Sequence, residues 1–190
     1  MKRMTILLTL LGFLAAAPLQ AGIYPEGAGI VYGQNFAFNI KAPKGWVLDT
    51  ESGVEQGAHA VFYPVGQTWS DSVIVAYARS RPITEKIKTP NDAAQDTVAQ
   101  FKKNGSPNHQ AKLYKTLKTE SGQEVQIFQF TGDQYGNSEA AAYYMQPDKG
   151  RINFIVLSSR DAKAYQASLP AFEELAKSYK PMDASIKDKR

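Results

Sequence analysis

Residues 36–64 read FAFNIKAPKGWVLDTESGVEQGAHAVFYP, and this stretch decides the fold. Phe36, Phe38 and Ile40 alternate with Ala37 and Asn39. That period of two predicts a strand with one face in a core. Pro43 and Gly45 end it. Trp46-Val47-Leu48 reads as a second short strand. Asp49–Gly57 is a polar loop punctuated by Gly53 and Gly57. In the strand predicted over Ala58–Tyr63, Ala58, Ala60 and Phe62 face one way, and His59, Val61 and Tyr63 the other. Pro64-Val65-Gly66 turns the chain into a loop carrying Trp69.

Outward from this unit, Ser72–Ala78 (SVIVAYA) and Ile152–Leu157 (INFIVL) are apolar on both faces. Such strands need cover above and below, so helices lie on both sides of the sheet. Pro82–Lys88 reads as a linker. Thr89 is an N-cap with Pro90 at the first helical position. Ala94, Val98 and Phe101 then share a helical face up to Gly105. A meander of four strands follows: Ala111–Lys118, Glu124–Phe130, Glu139–Met145 and Arg151–Leu157. In the first of these Leu113 and Leu117 are expected inward. Asp161–Tyr179 predicts a final helix, broken or kinked near Pro170, with Ser168 capping a fresh start. About seven or eight strands and two principal helices make an α+β domain, mostly antiparallel because its links are short.

The chain ends bear on compartment. Lys2 and Arg3 precede an apolar run from Ile6 to Ala17, and Leu19-Gln20-Ala21 places a small residue before Gly22. This has the form of a signal peptide, cleaved near Ala21. The expectation is an exported chain, periplasmic or secreted. Residues 22–35 read as an extended arm laying Ile23, Ile30 and Val31 on the domain surface. Residues 36–180 form a single domain. Residues 181–190 are a charged, mobile tail.

Without Lys2 and Arg3 the net charge falls from +4 to +2. That is too little for a dedicated nucleic-acid surface. There is no Cys, which excludes disulfides, thiol chemistry and acylation at a cysteine. No second apolar stretch of membrane length follows the first.

Chemistry-bearing motifs are few. There are two His, no HExxH, no EF-hand loop and no Gly-x-Ser-x-Gly elbow. No metal and no cofactor is expected. His109 lies in the polar loop Asn104–Gln110 and reads as solvated. His59 beside Asp49 admits a small periplasmic hydrolase as one alternative. Aromatics give a better lead. Trp46, Tyr63 and Trp69 flank loops at one end of the first strands, and such residues serve both as binding anchors and as core pins. The candidate binding surface is therefore Trp46, Asp49, His59, Tyr63 and Trp69, on loops 44–57 and 64–71. A pocket between sheet and helix, taking a small ligand, is the other alternative.

Phe38–Trp46 (FNIKAPKGW) resembles the opening of the PsbP-like superfamily, where a strand leads into a Pro-x-Gly-Trp turn. The likeness runs on through the mid-chain helix, the meander and a last helix ending in Ala176-Lys177-Ser178-Tyr179. That superfamily includes photosystem II extrinsic proteins, a Ran-GTPase-binding protein, bacterial DcrB and chaperones of type VI secretion effectors. The resemblance implies an α/β/α sandwich around a central antiparallel sheet, and members that mostly bind proteins rather than catalyse. It supplies no catalytic residues. The function expected is that of a monomeric, non-enzymatic accessory protein that binds an unknown protein or envelope component.

Overall fold

A computed structural model describes residues 23–25 and 27–183; the stretches 1–22 and 184–190, with the expected signal peptide and most of the expected tail, lie outside the described residues. The elements run β1 (Ile23–Pro25), β2 (Ala28–Gly33), β3 (Phe36–Lys41), β4 (Trp46–Asp49), β5 (Ala60–Pro64) and β6 (Ile74–Pro82). Then come α1 (Pro90–Lys103), β7 (Gln110–Lys118), β8 (Glu124–Thr131), β9 (Ser138–Gln146), β10 (Arg151–Ser159), α2 (Ala162–Lys177) and β11 (Lys180–Met182).

The fold is α+β. An eight-stranded sheet has the order β1-β4-β5-β6-β10-β9-β8-β7, and every neighbouring pair is antiparallel. The two halves of the chain meet at one seam, where β6 and β10 pair over nine residues from Arg151–Pro82 to Ser159–Ile74. Along these strands residues alternate between two cores. Ala76, Ala78, Ile155 and Leu157 face α2, whose Tyr165, Leu169, Phe172 and Leu175 cover them. Phe128, Tyr143, Ile152 and Val156 face the opposite way, toward Ala93, Ala94 and Val98 of α1.

A second sheet of three strands, β11-β3-β2, was not foreseen. It shares a layer with α2, because Val31, Phe36, Phe38 and Ile40 belong to the α2-side core. The described part of the expected arm is built into the two sheets, although Ile30 is 49% exposed as expected. β1 is an edge of the main sheet, β2 pairs with β3, and Val31 is buried. Likewise Lys180–Met182, where the tail was expected to begin, pairs with Ala37–Asn39.

Local signals explain the helices. Thr89 accepts from the Asp92 amide at 3.1 Å while Asp92 accepts from the Thr89 amide at 2.9 Å, a reciprocal cap. Asp161 caps α2 by accepting from the amides of Lys163 and Ala164. That helix runs unbroken through Pro170, so no fresh start forms at Ser168. Burial of five side chains on one face holds α2 together across the missing amide. Pro170 itself is exposed. Pro170→Ala restores a backbone donor without losing packing, and should raise stability by about 1 kcal/mol, read from urea melts.

In β7 the alternation slips. A bulge falls between Leu113 and Lys115, so Leu117 is buried while Leu113 is 48% exposed, against the expectation that both face inward.

Candidate functional site

The path of the chain creates a hollow. From β6, at the middle of the sheet, α1 crosses to β7 at the far edge, and it packs over β7 and β9. The sheet face above β6 and β10 is left partly uncovered. On the far side it is bounded by the loop that holds Gly57. Between them lies a cavity of about 360 Å³.

Its floor follows from strand register. Val156 sits opposite both Tyr77 and Ala141. One row along, Phe154 sits opposite Arg79 and Tyr143. On the other side Glu139 lies opposite Ser158 and Phe130. Ala141 and Val156 are small, and their neighbours Tyr77, Tyr143, Phe154 and Phe130 are large. A depression results where the small side chains stand. Thr97, Gln100 and Phe101 of α1 form the wall, and all of these residues except Ser158 line the cavity.

The polar groups are few and placed. The Arg79 guanidinium lies 5.0 Å over the Tyr77 ring and donates from Nη2 to the Gln56 carbonyl at 2.6 Å. Arg81 lies 6.0 Å over Phe154, pairs with Asp96 at 2.6 Å and donates to the Ala93 carbonyl at 3.2 Å. Nε of each arginine is buried and has no hydrogen-bond partner among the described residues. Burial pushes the Glu139 carboxyl above the usual range, and the Ser158 hydroxyl and Arg79 only partly offset this. Burial also raises the Tyr143 phenol to about 12.

His109 sits behind the α1 wall. It was expected to be solvated, yet it is 1% exposed, with both ring nitrogens unpartnered. Its ring stacks 4.3 Å from Phe101 and 5.7 Å from Phe130, both of which also line the cavity. Burial depresses its pKa; Lys102 adds to this and Asp133 opposes it, so the ring is held neutral.

The five residues singled out in the sequence are dispersed by function. Trp46 is 7% exposed and packs in the α2-side core. Asp49 is fully buried and saturated: its Oδ1 accepts from the amides of Glu51 and Ser52, and its Oδ2 from Ser52 Oγ and Tyr63 Oη. Burial acts to raise its pKa, but these hydrogen bonds together lower it below the usual value. Tyr63 is buried beside it, its phenol raised to about 12 by burial and by Asp49. His59 is half-buried just before β5, with its ring 4.8 Å from Phe36 and its pKa lowered by burial and by Arg151 and Arg79. Among the described residues no hydrogen bond joins it to Asp49. Trp69 is half-buried with its ring edge-on to the cavity residue Tyr77 at 6.3 Å, and His59 feels the charge of the cavity residue Arg79.

Two signals could have found the cavity. Arg79 and Arg81 continue the alternation of SVIVAYA past Ala78, because β6 extends to Pro82 where a linker was expected. The run Ala140-Ala141-Ala142 in β9 marks a place where a sheet face is shallow. Among the described residues no group of three His, Asp or Glu could hold a metal ion, and no helix is long and apolar enough to cross a membrane.

No family model matches the chain, and no curated protein matches it. Among solved structures the fold is similar to that of a mutant of the protein Mog1, with a TM-score of 0.52 and 13% identity over 84% of this chain and 98% of that one. At that identity the likeness concerns the α+β fold alone.

Proposed function

We propose that this chain is an exported, non-enzymatic binding protein that holds a small ligand in the cavity between the sheet and α1. The observation that carries this is the hollow over Ala141 and Val156, walled by aromatics and edged by two arginines. Ligand sites are concave, mostly apolar, and contain a few placed polar groups. A non-enzymatic reading is favoured by Asp49, whose oxygens are already filled and leave His59 without an orienting carboxylate.

Contact with a protein or envelope component is a second reading. It is favoured by Val54 at 60% and Val65 at 53% exposure, on the two loops nearest Trp69. A ligand-loaded cavity beside these loops is compatible with it.

Ala141→Leu fills the hollow without adding charge. In a thermal-shift screen of small acids, amines and neutral compounds, the wild type should gain several degrees with at least one compound. Ala141→Leu should lose that gain while melting within a few degrees of the wild type. An undiminished shift in the variant would place the ligand elsewhere.

A further inference from the structure

We propose that the ligand is a compact organic acid with a flat apolar body, its carboxylate paired with Arg79 and its body lying over Ala141 and Val156. This rests on the cavity reading above and names the chemistry of what fills it.

The charge pattern carries the inference. Three ion pairs join described residues, and Arg79 is in none of them. Its neighbour Arg81 is neutralised by Asp96 and held by the Ala93 carbonyl, both on α1. Arg79 is held by a neutral carbonyl, Gln56, and by the face of Tyr77, while Glu139 acts on it electrostatically without an ion pair within 4 Å. A partly buried cation outside any ion pair is costly unless an anion completes it. Nε is buried and Nη2 is taken by Gln56, so Nη1 is the guanidinium nitrogen left to give a carboxylate a charge-assisted hydrogen bond.

Glu139 is the one acidic side chain lining the cavity, and it could in principle supply that anion. Two facts argue against it. It forms no ion pair with Arg79 within 4 Å. Its burial also raises its carboxyl pKa, which disfavours it as a standing anion, although Ser158 and Arg79 partly offset that shift. The remaining surface selects the body of the ligand. Tyr77, Phe101, Phe130, Tyr143 and Phe154 present ring faces and edges around a floor of one alanine and one valine. A planar group fits between such rings better than a branched one.

Calorimetric titration with matched pairs tests this: phenylacetate against phenylacetamide, and indole-3-acetate against its amide. Each pair keeps the body and changes only the charge. For at least one pair the acid should bind the wild type about 10- to 100-fold more tightly than its amide, the usual worth of hydrogen bonds to a charged group. Arg79→Gln should erase that preference and leave amide affinity within about twofold. Arg79→Lys keeps the charge but loses the guanidinium's hold on the Gln56 carbonyl, and should retain only part of the preference. Circular dichroism on each variant checks that the fold persists.

Equal affinity for acid and amide would overturn the proposal, as would a preference that survives Arg79→Gln. If neither acid nor amide binds, the acid ligand is likewise excluded. The cavity reading is then judged separately, by whether any amine or neutral compound gives a shift that Ala141→Leu removes.

Discussion

Trp46→Ala should destabilise the protein by about 3–5 kcal/mol, the usual cost of emptying a large aromatic from a core. The melting temperature should fall by roughly 10 °C. The indole lies with Pro43, Ala76, Leu157, Ala171, Phe172 and Leu175, so its loss leaves a void between the sheet and α2. That void cannot collapse easily, because β4 is fixed on one side by β1 and on the other by β5. Ligand binding at the cavity should survive in the folded fraction, since Trp46 faces the opposite side of the sheet. A melting temperature within 2 °C of the wild type would show that this side chain is not a core pin.

Asp49→Ala should cost about 3–4 kcal/mol, because it strips the acceptor from a buried tyrosine hydroxyl, a serine hydroxyl and two amides at once. The loop from Thr50 to Gly57 would lose its anchor, and with it the Gln56 carbonyl that positions Arg79. This variant should therefore also weaken any ligand that depends on Arg79. The pH dependence has a definite sign. The folded pKa of Asp49 is lower than its unfolded value, near 3.8. Its contribution is fully present above pH 3.8 and is lost as pH falls through the folded value. Urea melts of wild type and Asp49→Asn should differ most near neutral pH, and the gap should narrow below pH 3.8. A gap that stays constant into acid would mean that the ionised form is not what the hydrogen bonds select.

What the sequence disclosed follows period and punctuation. β6 and β10 announce themselves because a strand apolar on both faces must lie at the centre of a covered sheet. α1 is legible from Thr89-Pro90, since cap and first-turn proline act over three residues. The meander is legible because each of its turns is marked by Gly, Asp or Pro. The small sheet was not legible. Its partner strands β3 and β11 are about 140 residues apart, and nothing local in Lys180-Pro181-Met182 says where it pairs. Burial of Trp46 as a core pin was one of the two roles expected for it, whereas that of Tyr63 was hidden, for an aromatic beside a loop has the same local pattern whether it points into a core or out of it. A pocket between sheet and helix was one expected alternative, but the residues that form it escaped notice for a related reason. It is made of residues that each look ordinary in their strand: an alanine in β9, a valine in β10, and an arginine in β6. Only the register brings them into adjacent rows.

His109 shows the limit from the other side. Ser106, Pro107 and Asn108 mark a polar loop, and a histidine there reads as solvated. Yet Phe101 at the end of α1 and Phe130 in β8 close on its ring from both faces. That contact between elements far apart in the chain has no trace in the loop itself.

The seam between β6 and β10 also governs the order of assembly. β7, β8, β9 and β10 follow one another through short turns, whose closure costs little entropy. β6 meets β10 only across α1 and three intervening strands, and pairings so distant in sequence form slowly. The floor of the cavity straddles this seam, with Tyr77 and Arg79 on one bank and Phe154 and Val156 on the other. The meander can form while the site does not yet exist. The proposed site is complete only once the β6–β10 seam has closed, so a ligand bound there would act as a latch on that seam.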